Sequence, residues 1–327
     1  MEKKLYLIDG NGYVHRAYHA LPPLTTSTGE EVGAVYGFIR MLKKILREKP
    51  DYTIVCFDYP APTFRHREFV EYKATRKEIE PALVNQIPLA KEIVQALNLT
   101  LLEKEGFEAD DLIATLAKKF SFETEVIIVT GDKDALQLVN EKIFVFNEHK
   151  NILYDRNIVK EKYGIEPEQL VDIFGLAGDA IDNIPGVRGI GEKTAIKLIQ
   201  QFNSIENLYN SLETLTGKIK QNLQTHKDDA FLSKKLVTLD TTVPLDIQLQ
   251  QCVTPKEPEK EKLITLLRRL EFSSLLSDLL PERIYEKVDY QVILKKEKFD
   301  LLLSELQKCE TFSFDLETTH TNPLLAE

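Results

Sequence analysis

Three short apolar runs, each closing on an acid, set the frame of the chain: KLYLID from Lys4 to Asp9, YTIVCFD from Tyr52 to Asp58, and VIIVTGD from Val126 to Asp132. Runs of this length, rich in Val, Ile and aromatic residues, predict strands buried on both faces, as in a parallel sheet. Helical stripes lie between them. Val35, Phe38, Ile39, Leu42 and Ile45 recur at helical spacing, and so do Leu112, Ile113, Leu116, Ala117 and Phe120. Alternating strands and helices predict an α/β fold with a mostly parallel central sheet flanked by helices. In such sheets functional groups gather at the carboxyl edge, where all three acids fall.

After about Ile173 the strand signals stop, and glycine-punctuated helical segments follow through Leu239. This predicts a helical subdomain. The stretch PKEPEKEK at 255–262 reads as a charged hinge before the amphipathic LITLLRRLEFSSLLSDLL. Beyond Pro281 the pattern offers a strand from Tyr290 to Leu294, a helix from about Glu297 to Lys308 and a strand from Thr311 to Asp315. The predicted organisation is a catalytic core over 1–174 with a basic segment at about 60–90, a helical subdomain over 175–281, a linker over 282–289, and the truncated start of a third domain over 290–327.

Composition narrows the class. The 327 residues are 43% hydrophobic and 29% charged, near the average for globular proteins. No apolar stretch reaches the roughly 18 residues that span a bilayer, and MEKKLYLIDG has no signal-peptide core. The expectation is a cytoplasmic protein without a membrane partner. Cys56, Cys252 and Cys309 are too few and too scattered for a disulfide framework or a thiolate zinc site. A net charge of −10 argues against coating nucleic acid by bulk attraction, so the placement of the acids matters more than their number.

Acids at strand ends and helix starts are Asp9, Asp58, Glu108, Asp110, Asp111, Asp132, Asp134, Asp179 and Asp182. Singly, several are explained as helix caps. Together they are not, because so many carboxylates on one sheet edge repel unless cations offset them. Oxygen ligands without His or Cys suit hard cations, so Mg²⁺ or Mn²⁺ is expected and Zn²⁺ is not. Two such ions suit in-line displacement at a phosphodiester.

Two further features bear on that chemistry. PAPTFRHREFVEYKATRK at 60–77 carries Arg65, Arg67, Lys73, Arg76 and Lys77 just after the second strand. On a helix Lys73 and Arg76, at i and i+3, point the same way and could grip a phosphate. Phe64, Phe69 and Tyr72 among them suit either base stacking or ordinary packing. IPGVRGIGEKTA, from Ile184 to Ala195, places Gly186, Gly189 and Gly191 in a turn opening a helix near Glu192. Backbone N–H groups at that helix start, with Arg188, Lys193 and Lys197, can meet phosphates without reading bases. The pattern resembles a helix-hairpin-helix.

Over about positions 4–281 the chain resembles the 5′-nuclease domains of bacterial DNA polymerase I, in the flap endonuclease superfamily. The residues that carry the resemblance include LIDGNGYVHRAYHAL, FDYPAPTFRHREFVEYKATR, GFEADDLIATLA, TGDKDALQLV, GLAGDAIDNIPGVRGIGEKTA and LEFSSLL. It implies a PIN-like α/β core with a helix-hairpin-helix subdomain, and Mg²⁺-dependent hydrolysis of DNA at 5′ flaps, nicks and RNA primers. Two or more Mg²⁺ ions are implied, with Mn²⁺ able to substitute and K⁺ at the hairpin.

By the same resemblance, Asp9, Asp58, Glu108, Asp110 and Asp111 are inner metal ligands, and Asp132, Asp134, Asp179 and Asp182 are the remaining ones. Lys73 and Arg76 match the basic pair of a helical arch, Arg65 a phosphate contact, and Tyr36 an aromatic on which a nucleotide stacks. The segment from Tyr290 resembles the start of a proofreading exonuclease, with Asp315 and Glu317 its first acid pair. A monomer natively linked to a polymerase region is implied, nucleoid-associated, without proofreading or polymerisation in this stretch. A flap-binding module that does not cut is disfavoured by the full acid set, and a PIN-class ribonuclease by the glycine hairpin and the basic segment.

Overall fold

The computed structural model describes residues 2–76, 78–279 and 290–315. The chain opens with strand β1 (Lys4–Asp9), helices α1 (Gly10–Ala20) and α2 (Gly33–Arg47), strand β2 (Tyr52–Cys56), helices α3 (Phe64–Glu68) and α4 (Pro81–Ala96), strand β3 (Thr100–Leu102) and helix α5 (Ala109–Phe120). Strands β4 (Glu125–Val129), β5 (Ile143–Asn147) and β6 (Ile152–Tyr154) follow, then helices α6 (Arg156–Tyr163) and α7 (Leu170–Ala177). The remaining helices are α8 (Glu192–Phe202), α9 (Ile205–Asn210), α10 (Gly217–Thr225), α11 (Lys227–Val237), α12 (Lys260–Arg269), α13 (Ser273–Ser277) and α14 (Lys296–Leu306).

The six strands form one sheet in the order β3-β2-β1-β4-β5-β6, parallel except for the antiparallel β5–β6 pair. Alternation along β1 explains the double-sided core. Leu5 and Leu7 pack with α5 residues such as Leu112 and Leu116, while Tyr6 and Ile8 pack with Phe38 and Leu42 of α2 and Ile93 of α4. Strand order reverses at β1: the chain first builds outward through β2 and β3, then crosses over to β4. The crevice beyond the carboxyl ends of β1 and β4 is therefore the topological switch point, where open α/β sheets place their sites.

Met1–Leu279 form one compact unit and Leu280–Glu327 another. In the second unit α14 occupies almost the expected span, but 290–294 and 311–315 are not strands. A strand needs a neighbour to satisfy its backbone, and neither segment pairs with another strand among the described residues. The expected linker over 282–289, Lys77 and Glu317 lie outside the described residues.

The basic segment also differs from expectation. Helix α3 ends at Glu68, and turns follow to Arg76. Lys73 has φ of +58°, a left-handed conformation that interrupts any helix. The turn is held by the loop after α7: the Lys73 N–H donates to the Asp182 carbonyl at 2.9 Å, and Asn183 Nδ2 donates to the Glu71 carbonyl at 2.8 Å. From Pro81 onward the expected arch is α4, whose Leu83, Leu89, Ala90 and Ile93 are buried in the core.

Candidate active site

Strand β1 delivers Asp9 directly to the switch point. Its carboxylate caps α1, accepting from the Gly12 N–H at 2.8 Å, and accepts the Thr130 hydroxyl at 3.0 Å. Strands β2 and β4 stop short of their acids, so Asp58 and Asp132 stand on the following loops. The Asn11 side chain accepts the Asp58 N–H at 3.0 Å, and the Asp58 carboxylate accepts the Ala109 N–H at 2.8 Å, joining β2's loop to the start of α5. Asp132 accepts the Asp134 N–H at 2.8 Å, opening a short 3₁₀ turn over Asp134–Leu138.

These loops and the first turn of α5 surround a cavity of about 290 Å³ lined by Asp9, Asp58, Glu108, Asp110, Asp132, Asp134 and Asp182, with Lys73, Arg76, Tyr72, Asn11 and His15. Seven of the nine expected acids thus meet in one place. Crowding shows in their protonation. Burial, and then Asp9, Asp132, Asp58 and Glu108, push the Asp110 carboxyl well above the ordinary carboxylate range. Burial together with Asp58 and Asp132 raises Asp9 to about 6, although Gly12 and Thr130 work against it. Burial and Asp132 raise Asp134 to about 7, although Lys133 pulls it down. Glu108 behaves differently: burial would raise it, but Lys73 and Arg65 hold it below the usual range.

Cations restrain the rim. Lys73 Nζ donates to Glu108 at 2.7 Å, Arg76 Nε donates to Asp182 at 2.8 Å, and Lys133 lies 3.3 Å from Asp179. Among the described residues, no three His, Cys, Asp or Glu side chains stand close enough to hold an ion as placed. The cavity therefore gathers the acids without chelating geometry. Its chemistry still fits hard cations. The donor set is carboxylate oxygen throughout, Asp134 Oδ1 is buried without a hydrogen-bond partner, and Asp110 accepts no hydrogen bond among the described residues.

Two expected ligands are placed otherwise. Asp111, fully buried, turns away from the cavity and accepts Arg65 Nη1 at 2.7 Å and Arg65 Nη2 at 2.8 Å. Neighbours one residue apart on a helix point about 100° apart, so Asp110 and Asp111 cannot share a face. Arg65, expected at a phosphate, is only 1% exposed and committed to this pair. Asp179 does not line the cavity; it accepts the Ile181 N–H at 2.8 Å and pairs with Lys133.

The expected DNA contacts divide similarly. Tyr72 is buried, donates its hydroxyl to Glu108 at 3.2 Å and packs edge-on against His66, so it serves packing rather than stacking. Tyr36 packs edge-on against Phe272 and borders a separate cavity of about 740 Å³ with Arg16, Arg40 and Arg47. In the glycine turn, Gly186 is buried and its N–H donates to Ser233 Oγ at 2.9 Å, so that N–H is not free for a phosphate. Its role is steric: a Cβ there would lie 2.4 Å from the backbone nitrogen of Gly178. Gly189 and Gly191 are exposed at the start of α8, beside the exposed Arg188, Lys193 and Lys197.

Sequence reasoning missed Asn11, Thr130, Lys133 and Gly178. Asn11 and Thr130 each sit within two residues of a cavity acid, in DGN and TGD, and that adjacency was their only signal.

Comparison with known proteins bears on this arrangement. Residues 4–164 match a family model described as the 5′-3′ exonuclease N-terminal resolvase-like domain, and residues 165–261 match the 5′-3′ exonuclease C-terminal SAM fold. A 5′-3′ exonuclease of Aquifex aeolicus is 41% identical over 279 residues, covering 84% of this chain and 95% of that protein. DNA polymerase I of Pseudomonas aeruginosa is 42% identical over 337 residues, covering 96% of this chain and 37% of that protein. The chain thus spans about a third of the length of the polymerase relatives it matches. Among solved structures, a bacteriophage T5 flap endonuclease complexed with DNA and metal ions shares the fold, with a TM-score of 0.60 and 22% identity over 85% of this chain and 99% of that one.

Proposed function

The chain belongs to the 5′-3′ exonuclease family, and from that premise we propose that it is a structure-specific 5′ nuclease hydrolysing DNA phosphodiesters at 5′ flaps, nicks and RNA primers. The observation that carries the reading is the single cavity lined by seven carboxylates and edged by Lys73 and Arg76. No ordinary structural need explains so much like charge at a switch point.

Asp9, Asp58, Glu108 and Asp110 would hold one dication, and Asp132, Asp134 and Asp182 a second, with Mg²⁺ the expected ion and Mn²⁺ its substitute. When bound, such ions polarise the phosphodiester and lower the pKa of water. The chain's own part is to bind and orient. Lys73 and Arg76 exchange their carboxylate partners for the oxygens of the incoming phosphate, offsetting the charge that develops there. The N-terminus of α8, with Arg188, Lys193 and Lys197, holds duplex phosphates without regard to sequence, and K⁺ would join it through backbone carbonyls. A larger cavity of about 780 Å³ shares Asp58, Lys73 and Arg76 with the acidic one and leaves room for an unpaired strand. In its native setting the unit works beside a polymerase region, as a cytoplasmic monomer at the nucleoid, in replication and repair.

Digestion of a 5′-labelled flap substrate, with Mg²⁺ and with EDTA, tests the reading. Discrete short products with Mg²⁺ alone are expected; tight binding without cleavage in either condition would make the protein a flap-binding module instead.

A further inference from the structure

Arg65 is among the residues that line the acidic cavity and Asp111 is not, yet both spend their polar atoms on each other and on neighbouring groups of the chain. Every hydrogen-bonding position of the pair is filled. Arg65 Nε donates to the Leu236 carbonyl at 2.8 Å, and Nη2 donates to the Thr238 carbonyl at 3.2 Å as well as to Asp111. Nη1 donates to Asp111 at 2.7 Å and reaches Glu108 at 3.5 Å. Asp111 in turn accepts the Glu108 N–H at 3.1 Å and the Asp240 N–H at 2.9 Å. A carboxylate with four N–H donors has no lone pair left for a cation, and a guanidinium so occupied has no N–H left for a phosphate.

What the pair does hold is the first turn of α5. That turn is fixed from two sides, by α3 through Arg65 and by the end of α11 and the segment after it through Leu236, Thr238 and Asp240. It carries the cavity acids Glu108 and Asp110. Asp110 accepts no hydrogen bond among the described residues, so only its backbone aims it, against repulsion from Asp9, Asp132 and Asp58. A bidentate fork resists rotation in a way that a single contact cannot.

We infer that Arg65 and Asp111 are a positioning pair for the nuclease reaction, neither phosphate contact nor metal ligand, which aims Asp110 and Glu108 by clamping the start of α5. The inference rests on the nuclease reading, and wild-type cleavage of the flap substrate serves as the control for that reading alone.

Arg65→Lys keeps the charge but loses the fork. The expected result is a kcat at least tenfold lower, with KM, and DNA affinity measured in Ca²⁺, both within twofold of wild type. Asp111→Asn should show the same split, and the double variant should be no slower than the slower single variant, because one unit is broken once. Calorimetric titration of Mn²⁺ into DNA-free protein should give the same number of ions for wild type, Arg65→Lys and Asp111→Asn.

Three results would overturn the inference: an ion lost by Asp111→Asn but kept by Arg65→Lys, DNA affinity lost by Arg65→Lys at unchanged kcat, or multiplying rather than overlapping rate losses. Should either single variant fail to fold by circular dichroism, the neutral pair Arg65→Gln with Asp111→Asn replaces it. Full activity in that folded pair would equally contradict the clamp.

Discussion

The acidic cavity and the glycine turn at α8 are proposed to meet the same polyanion, yet they are built on opposite plans. The cavity is made of side chains under mutual repulsion, four of them with raised carboxyl pKa values, at the end of a strand buried from Leu5 to Asp9. The turn is made of backbone at ease: Gly178 and Gly186 cross where no Cβ fits, Ser233 satisfies the buried Gly186 N–H, and its cations are exposed. The lesson is that the first region is destabilised by its own charge and the second is not. Substitutions should therefore move stability in opposite directions in the two regions.

The largest effect falls on catalysis. Asp110→Asn should reduce flap cleavage on the order of a thousandfold or more, while affinity for DNA in EDTA stays equal or improves, since one repelling charge is gone. Cleavage within tenfold of wild type would remove Asp110 from the site. Next comes the turn. Gly186→Ala must fit a Cβ 2.4 Å from the Gly178 nitrogen at φ of +57°. It should lower stability by about 2–4 kcal/mol, read as a fall in denaturant midpoint.

Smaller is the loss from removing Lys193 and Lys197 together. Affinity for a plain duplex should fall by about tenfold, and the dependence on salt should flatten by about two counterions. A change confined to flap substrates would mean that this helix end reads structure rather than phosphate.

The smallest effect has the opposite sign. Burial, and then Asp132, Asp179 and Asp182, raise Asp134 to about 7 in the folded chain against an ordinary value of 3.8, although Lys133 opposes them. The folded state then binds more protons between those values, so this group costs stability as pH rises toward and through 7. Asp134→Asn should raise the metal-free melting temperature at pH 8 by about 2 °C or more, with the gain shrinking toward pH 5. An equal gain at both pH values would show that charge is not its origin.

Much of this was legible in the amino-acid sequence because single segments specify it. Apolar runs ending in acids placed β1, β2 and β4, and helical stripes placed α2 and α5. What escaped depends on partners far along the chain. EADD gives no sign that Asp111 turns inward, since that follows from Arg65 on α3. Lys73 is left-handed because the loop at Asp182 and Asn183 claims its turn, which spacing within the segment cannot foretell. Gly178 looked like punctuation until Gly186 was placed against it. The outer segments of the second unit are not strands because a β pattern needs a neighbouring strand, and neither segment pairs with one among the described residues.

Central to the account is a cavity whose acids hold protons in the absence of metal and surrender them to dications. Titration of Mn²⁺ into the DNA-free protein at pH 6.5, in buffers of different ionisation enthalpy, measures ions taken up and protons released together. Uptake of two ions with net proton release is predicted, chiefly from Asp110 and Asp134. Absence of uptake, or uptake without any release, would contradict it.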